Sequence, residues 1–171
     1  ASAFGVEVQG SVSVDFPGVM ERMRRLRASI APHDSAERFS AELGIDVHFG
    51  RAVFTGPDSV EVEGRTLRFA RAVIATGGSA SIPDIPGIED AAVLTNANVF
   101  NLTTLPARLG VIGAGPIGLE LAQAFARFGS QVTVLARGHE VLPREDPEAA
   151  SVVRAALEDD GVRFLTGASV E

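Results

Sequence analysis

The chain has 171 residues, 46% hydrophobic and 22% charged, the composition of a polypeptide that builds a packed core. Its formal net charge of -7 argues against a nucleic-acid partner, which requires a basic surface, and no apolar run approaches the ~20 residues that span a bilayer. There is no cysteine and there are only three histidines, far apart, so disulfides, thiolate chemistry and Cys/His metal centres find no residues here.

The opening ASAFGVEVQG lacks a basic region followed by an apolar core; no signal peptide is expected and a cytoplasmic location is the default. Ser11 to Val14 alternates in the manner of a short strand. Phe16-Pro17 opens a helix, since proline is tolerated in a first turn. Val19, Met20, Met23, Leu26 and Ile30 give it an apolar face. Arg22, Arg24, Arg25 and Arg27 form either a solvated basic face or a contact for an acidic neighbour or a cofactor phosphate. Pro32 stops this helix, and Asp34 with Glu37 reads as a capping box for the next, which Gly44 ends. His33 is expected in the loop between them.

From Ile45 the period changes to two. Ile45, Val47 and Phe49 predict a strand with His48 outward; Ala52 to Phe54, Val60 to Val62 and Thr66 to Phe69 continue an antiparallel meander with turns at Gly56-Pro57-Asp58 and Glu63-Gly64. Ala72 to Ala75 predicts a short strand before Thr76-Gly77-Gly78, and the prolines of IPDIPG predict a stiff, extended connector. Val93-Leu94 reads as another short strand, and Thr95 or Asn96 as the cap of a helical turn near Val99-Phe100.

A new organisation begins near residue 105, where the domain boundary is placed (1–105 and 106–171). Val111-Ile112 ends an apolar strand, and Gly113, Gly115 and Gly118 follow in GxGxxG spacing. In a strand-turn-helix setting this spacing serves a tight turn, close approach to a pyrophosphate and close helix packing. The helix from Pro116 aims its positive end at phosphates, buries Leu119, Leu121, Ala122, Phe125 and Ala126, and stops at Gly129. Val132 to Leu135 is a second strand, a further helix runs from Pro147 to about Asp160, and Val162 to Leu165 is a third strand. The fold class is therefore α/β, with a Rossmann-type βαβαβ half of strand order 3-2-1.

The second strand ends in Ala136 and Arg137, where NAD or FAD sites usually carry an acid for the ribose hydroxyls. A fixed cation suits a ribose phosphate, so NADPH is expected over NADH; the alternative is an exposed loop arginine. His139 and Arg144 stand close enough in sequence to assist, although each alone is expected to be solvated.

Ala75-Thr76-Gly77 with IPDIPG, followed by the GxGxxG unit, resembles the pyridine nucleotide-disulfide oxidoreductases, flavoenzymes that bind FAD and a nicotinamide dinucleotide. LELAQAFARFGSQVTVLAR and REDPE look most like the NADPH domain of the mercuric reductases within that family. The resemblance implies that residues 1–105 are the middle part of a discontinuous FAD-binding domain. It implies that Thr76 and Gly77 lie against FAD, and that Arg51 and Ala52 meet its adenine mainly through backbone. Gly113, Gly115, Ile117 and Gly118 would cradle NADPH, with Ala136 and Arg137 at its phosphate. Glu120 matches a glutamate near the nicotinamide carboxamide, although a carboxylate early in a helix is also favoured by the dipole alone. Ala80 departs from a proline common after ATG, and Pro116 stands where several relatives have a tyrosine over the flavin.

The family's first GxGxxG, its CxxxxC pair and its C-terminal dimerisation domain with the catalytic histidine are absent from the sequence. The resemblance thus implies an internal fragment of a homodimeric parent, with no catalytic residue of its own and no activity alone. Two alternatives stay open: a flavoprotein without a redox dithiol, and a non-catalytic nucleotide-binding module.

Overall fold

The computed structural model describes residues 5, 7 and 9–168. Most of the ASAFGVEVQG stretch lies outside them. The contacts divide the chain into two compact units, one of residues 23–79 and one of residues 1–22 with 80–171.

Helix α1 (Phe16–Ile30) begins where the proline predicts, and Asp15, not singled out by sequence, caps it with Oδ1 accepting from the Gly18 amide at 3.1 Å. Phe16 and Met20 are buried, whereas Leu26 and Ile30 on the same expected face are exposed. A 3₁₀ turn over Ala31–Asp34 contains His33, and α2 (Ala36–Ala41) follows. The cap of α2 is Ser35, not Asp34: Ser35 Oγ accepts from the Arg38 amide at 3.1 Å. Asp34 is taken up in the 3₁₀ turn, which moves the cap one residue along and removes Glu37 from the capping-box position.

In the 23–79 unit, β1 (Ala52–Gly56), β2 (Ser59–Val62) and β3 (Arg65–Arg68) form an antiparallel meander in the order β1-β2-β3. Glu63 and Gly64 both take positive φ, 48° and 75°, the geometry of a two-residue hairpin turn. Arg68 donates to Asp58 at 2.5 Å and the Phe69 amide to the Asp58 carbonyl at 2.9 Å, locking the far end.

Three other stretches expected as strands do not become strands. Ser11 to Val14, Ile45 to Phe49 and Ala72 to Ala75 have strand-like composition but no ladder partner among the described residues. Alternation supplies propensity, and a strand exists only when its amides find a neighbour. The burial order is also reversed: Ile45 and Phe49 are exposed, while Val47 and His48 are half-buried. Val93-Leu94 is likewise irregular, whereas the turn at Val99–Asn101 forms; its cap position is Asn98, not Thr95 or Asn96, and Thr95 Oγ1 instead accepts from the Ala97 amide at 3.2 Å ahead of the turn.

The second unit is built on a parallel sheet of β4 (Arg108–Ile112), β5 (Gln131–Ala136) and β6 (Arg163–Thr166), in the order β4-β5-β6. Helices α3 (Pro116–Phe128) and α4 (Pro147–Asp159) connect them, giving the expected βαβαβ unit. Leu119, Ala122 and Phe125 of α3 are buried, as are Val132, Val134 and Ala136 of β5. Phe16, Phe125 and Phe128 form a three-ring cluster with centroids 5.8–6.0 Å apart. Ser130 Oγ donates to the Pro106 carbonyl at 2.6 Å and the Gln131 amide to Ala107 at 2.9 Å, which fixes where β5 starts beside β4. Asp146 caps α4 by accepting from the Glu148 and Ala149 amides at 2.9 and 3.2 Å.

Asp160, the residue after α4, ties the C-terminal ends of the two helices together. It accepts from Arg127 at 2.8 and 3.0 Å and from Gln123 at 2.6 Å. These hydrogen bonds, that to Arg127 foremost, hold its carboxyl below the ordinary value of 3.8. The folded form thus binds its proton less readily than the unfolded chain. The stabilisation is complete above the unfolded value and is lost as pH falls through the folded one. Asp160→Asn is expected to flatten the fall of stability in acid below about pH 4, measured by urea denaturation across a pH series. An unchanged acid limb would show that the bridge does not titrate with folding.

Candidate functional site

The site begins at the turn from β4 into α3. Gly113 takes φ of +106°, a left-handed bend that other residues resist, and its amide donates to the Leu135 carbonyl at 2.8 Å. Gly118 serves packing: a Cβ there would stand 2.9 Å from the Gly113 carbonyl oxygen and 3.3 Å from Val111 Cγ1. Gly115 differs from both, because a Cβ there would meet nothing within 4 Å. The three glycines of the motif therefore bend the chain, admit the helix and leave a face open.

That open face borders a cleft of about 540 Å³. Gly113, Ala114, Gly115 and Pro116 form one wall, and Ala136, Arg137, Gly138, Glu140, Leu142, Pro143, Arg144 and Glu145 form the other. The wall residues come from the ends of adjacent parallel strands, where the turn after β4 and the loop after β5 diverge. Gly115 begins α3 with no side-chain cap, and Pro116 has no amide hydrogen. The first intrahelical bond runs from Leu119 to Gly115 at 3.0 Å, so the amides of Ile117 and Gly118 precede the ladder and remain available to an anion.

The loop after β5 is pinned to the glycine turn. The Leu142 amide donates to the Ala114 carbonyl at 3.0 Å, with Leu142 itself at φ of +47°. Val141 beside it is buried. Arg137 and Arg144 bring cations to the cleft, and Glu140 and Glu145 bring carboxylates. None of the four has an ion-pair partner among the described residues.

The structure thus brings together Gly113, Gly115, Pro116, Ala136 and Arg137 of the expected cofactor residues, with Ile117 and Gly118 in the adjoining helical turn. Glu120 lies further along α3 and is exposed. Arg51, Ala52, Thr76 and Gly77 belong to the other unit, all exposed; Arg51 and Ala52 stand at the start of β1, and Thr76 and Gly77 lie in irregular chain with Gly77 in the left-handed region at φ of +68°. Arg144 lines the cleft, exposed, whereas His139 lies against Gly167 and lines a neighbouring hollow of about 230 Å³. Glu140, Leu142 and Glu145 were not singled out by sequence, because their place depends on how the loop after β5 folds back.

A parallel βαβαβ sheet with this turn, helix start and cleft defines a dinucleotide-binding protein of the α/β class. The family model described as pyridine nucleotide-disulphide oxidoreductase matches residues 10–171, and the chain belongs to that family. It is 38% identical over 130 residues to mercuric reductase from Bacillus cereus, covering 76% of this chain and 21% of that protein. It is 30% identical over 172 residues to dihydrolipoyl dehydrogenase from Acholeplasma laidlawii, covering 98% of this chain and 51% of that one. Among solved structures, the HOCl-induced flavoprotein disulfide reductase RclA from Escherichia coli superposes with a TM-score of 0.77 at 34% identity, over 92% of this chain and 37% of RclA. The chain therefore spans about a fifth to a half of the length of these relatives. Members of the family use FAD and a pyridine nucleotide, and no helix among the described residues is long and apolar enough to cross a membrane.

Proposed function

We propose that the chain is part of an NADPH-dependent, FAD-containing disulfide oxidoreductase similar to mercuric reductase. In the whole protein, NADPH would supply hydride to FAD, and electrons would reach a cysteine pair outside this chain. The observation that carries the reading is the cleft at the end of β5, which has Arg137 on its wall and no acid at the strand end. Gly113, Gly115, Ile117 and Gly118 would hold the pyrophosphate through backbone, and Arg137 the 2′-phosphate. Glu120 would stand near the carboxamide.

Residues 106–171 are on this reading the first half of the NADPH domain, and residues 1–105 part of the FAD domain. Thr76, Gly77, Arg51 and Ala52 would line the flavin site. The bare apolar surface of the 23–79 unit supports it: Phe49, Val53, Phe54, Val73 and Ile74 are all exposed, Val73 by 91%. Such a surface fits a domain completed by further chain. The protein would act in the cytoplasm as a homodimer, and this chain alone would be inactive.

Arg137→Glu in the full-length protein should lower the affinity for NADPH by roughly 10- to 100-fold, the loss of a charge-assisted contact, with NADH much less affected. Titration of both nucleotides measures this, and an unchanged NADPH/NADH ratio refutes the role of Arg137. A second reading is a nucleotide-binding module without a redox dithiol. Counting thiols released on NADPH reduction of the full-length protein separates the two: two new thiols support the reductase, none supports the module.

A further inference from the structure

The end of β5 lacks the carboxylate that dinucleotide sites place there, yet the cleft does not lack one. Glu140, three residues beyond Arg137 on the loop that leaves the strand, lines the same cleft. No ion pair joins Glu140 to Arg137, to Arg144 or to any other described residue. The loop that carries it is held in place by the Leu142 to Ala114 hydrogen bond, 3.0 Å long, and by the buried Val141. Glu145 shares the cleft, but it stands at the far end of this loop, beside the start of α4.

We infer that Glu140 is a specificity-determining residue that opposes Arg137 and keeps the site open to both nicotinamide dinucleotides. The inference rests on the reading of the cleft as the NADPH site. A carboxylate facing the ribose accepts hydrogen bonds from the 2′- and 3′-hydroxyls of NADH. The same charge repels the 2′-phosphate of NADPH. Two cations and two carboxylates on one wall leave that wall without a net charge, so a dianionic phosphate gains less there than Arg137 alone would provide. Since the groups are exposed, each contributes a modest and salt-screened share.

The test is calorimetric titration of the full-length protein with NADP⁺ and with NAD⁺, for the native sequence, Glu140→Gln and Glu140→Arg. Glu140 is exposed and makes no side-chain hydrogen bond among the described residues, so the variants should melt as the parent does. The NADP⁺/NAD⁺ affinity ratio is expected to rise about threefold with Gln and about tenfold with Arg, and the increments should shrink between low and high salt. A ratio that stays within twofold of the native value in both variants, or increments indifferent to salt, overturns the role of Glu140 while leaving the site intact. Binding of neither nucleotide to the native protein overturns the cleft reading itself, and this inference with it.

Discussion

Phe125→Ala is expected to destabilise the parallel-sheet unit by about 3–5 kcal/mol, enough to threaten the native state. Phe125 is 3% exposed and stands in the C-terminal part of α3, with the rings of Phe16 and Phe128 at 5.8 and 6.0 Å. Truncation removes its transfer free energy, two ring contacts and the filling of a space bounded by α1, α3 and β5 residues. The same helix presents its N-terminus to the cleft, so a loosened α3 displaces the amides of Ile117 and Gly118. Chemical denaturation of Phe125→Ala and Phe125→Leu measures the effect. A loss below 1 kcal/mol for the alanine variant would mean that the ring cluster does not anchor the helix.

The second large effect separates two glycines of one motif. Gly115→Val should abolish dinucleotide binding, a loss beyond about 100-fold, while leaving the melting temperature nearly unchanged. Its side chain would extend into open space at the cleft, where nothing of the protein stands within 4 Å of the Cβ. Gly118→Val should instead destabilise by about 1–3 kcal/mol or more, because its Cβ meets the Gly113 carbonyl oxygen at 2.9 Å. That obstacle is backbone and cannot rotate away. A thermal melt and a nucleotide titration on each variant give the two-by-two answer. If Gly115→Val binds nucleotide normally, the pyrophosphate does not lie over that turn, and the cleft reading falls.

The parallel-sheet half was readable because its signals are local and agree with one another. The glycine spacing, Pro116 at the first helical turn, the apolar stripe Leu119-Ala122-Phe125 and the stop at Gly129 each specify the same element. The first half was less legible. Ile45 to Phe49 carries the alternation of a strand and Ala72 to Ala75 a short apolar run with β-branched residues, but a ladder is a property of two segments, and neither finds a second among the described residues. The cap of α2 slipped from Asp34 to Ser35 because a 3₁₀ turn intervened, a choice between neighbouring polar residues that pattern alone does not make. In the site, Arg137 followed from strand length. Glu140 and Glu145 did not, because the path of the loop from residue 138 to 146 depends on contacts distant in sequence, the Leu142 amide on the Ala114 carbonyl and the Gly167 amide on the Gly138 carbonyl.

The bond from Leu142 to Ala114 has a further consequence. The turn after β4 and the loop after β5 would be independent flaps if they were joined only through the sheet. With the Leu142 amide on the Ala114 carbonyl and Leu142 held at φ of +47°, both walls belong to one stapled frame. The gap between them is set before a ligand arrives. Association then orders little backbone, and more of the contact free energy survives as affinity. If the cleft is the nucleotide site, a small fragment of a nucleotide, too weak to reshape a loose pocket, should already bind there.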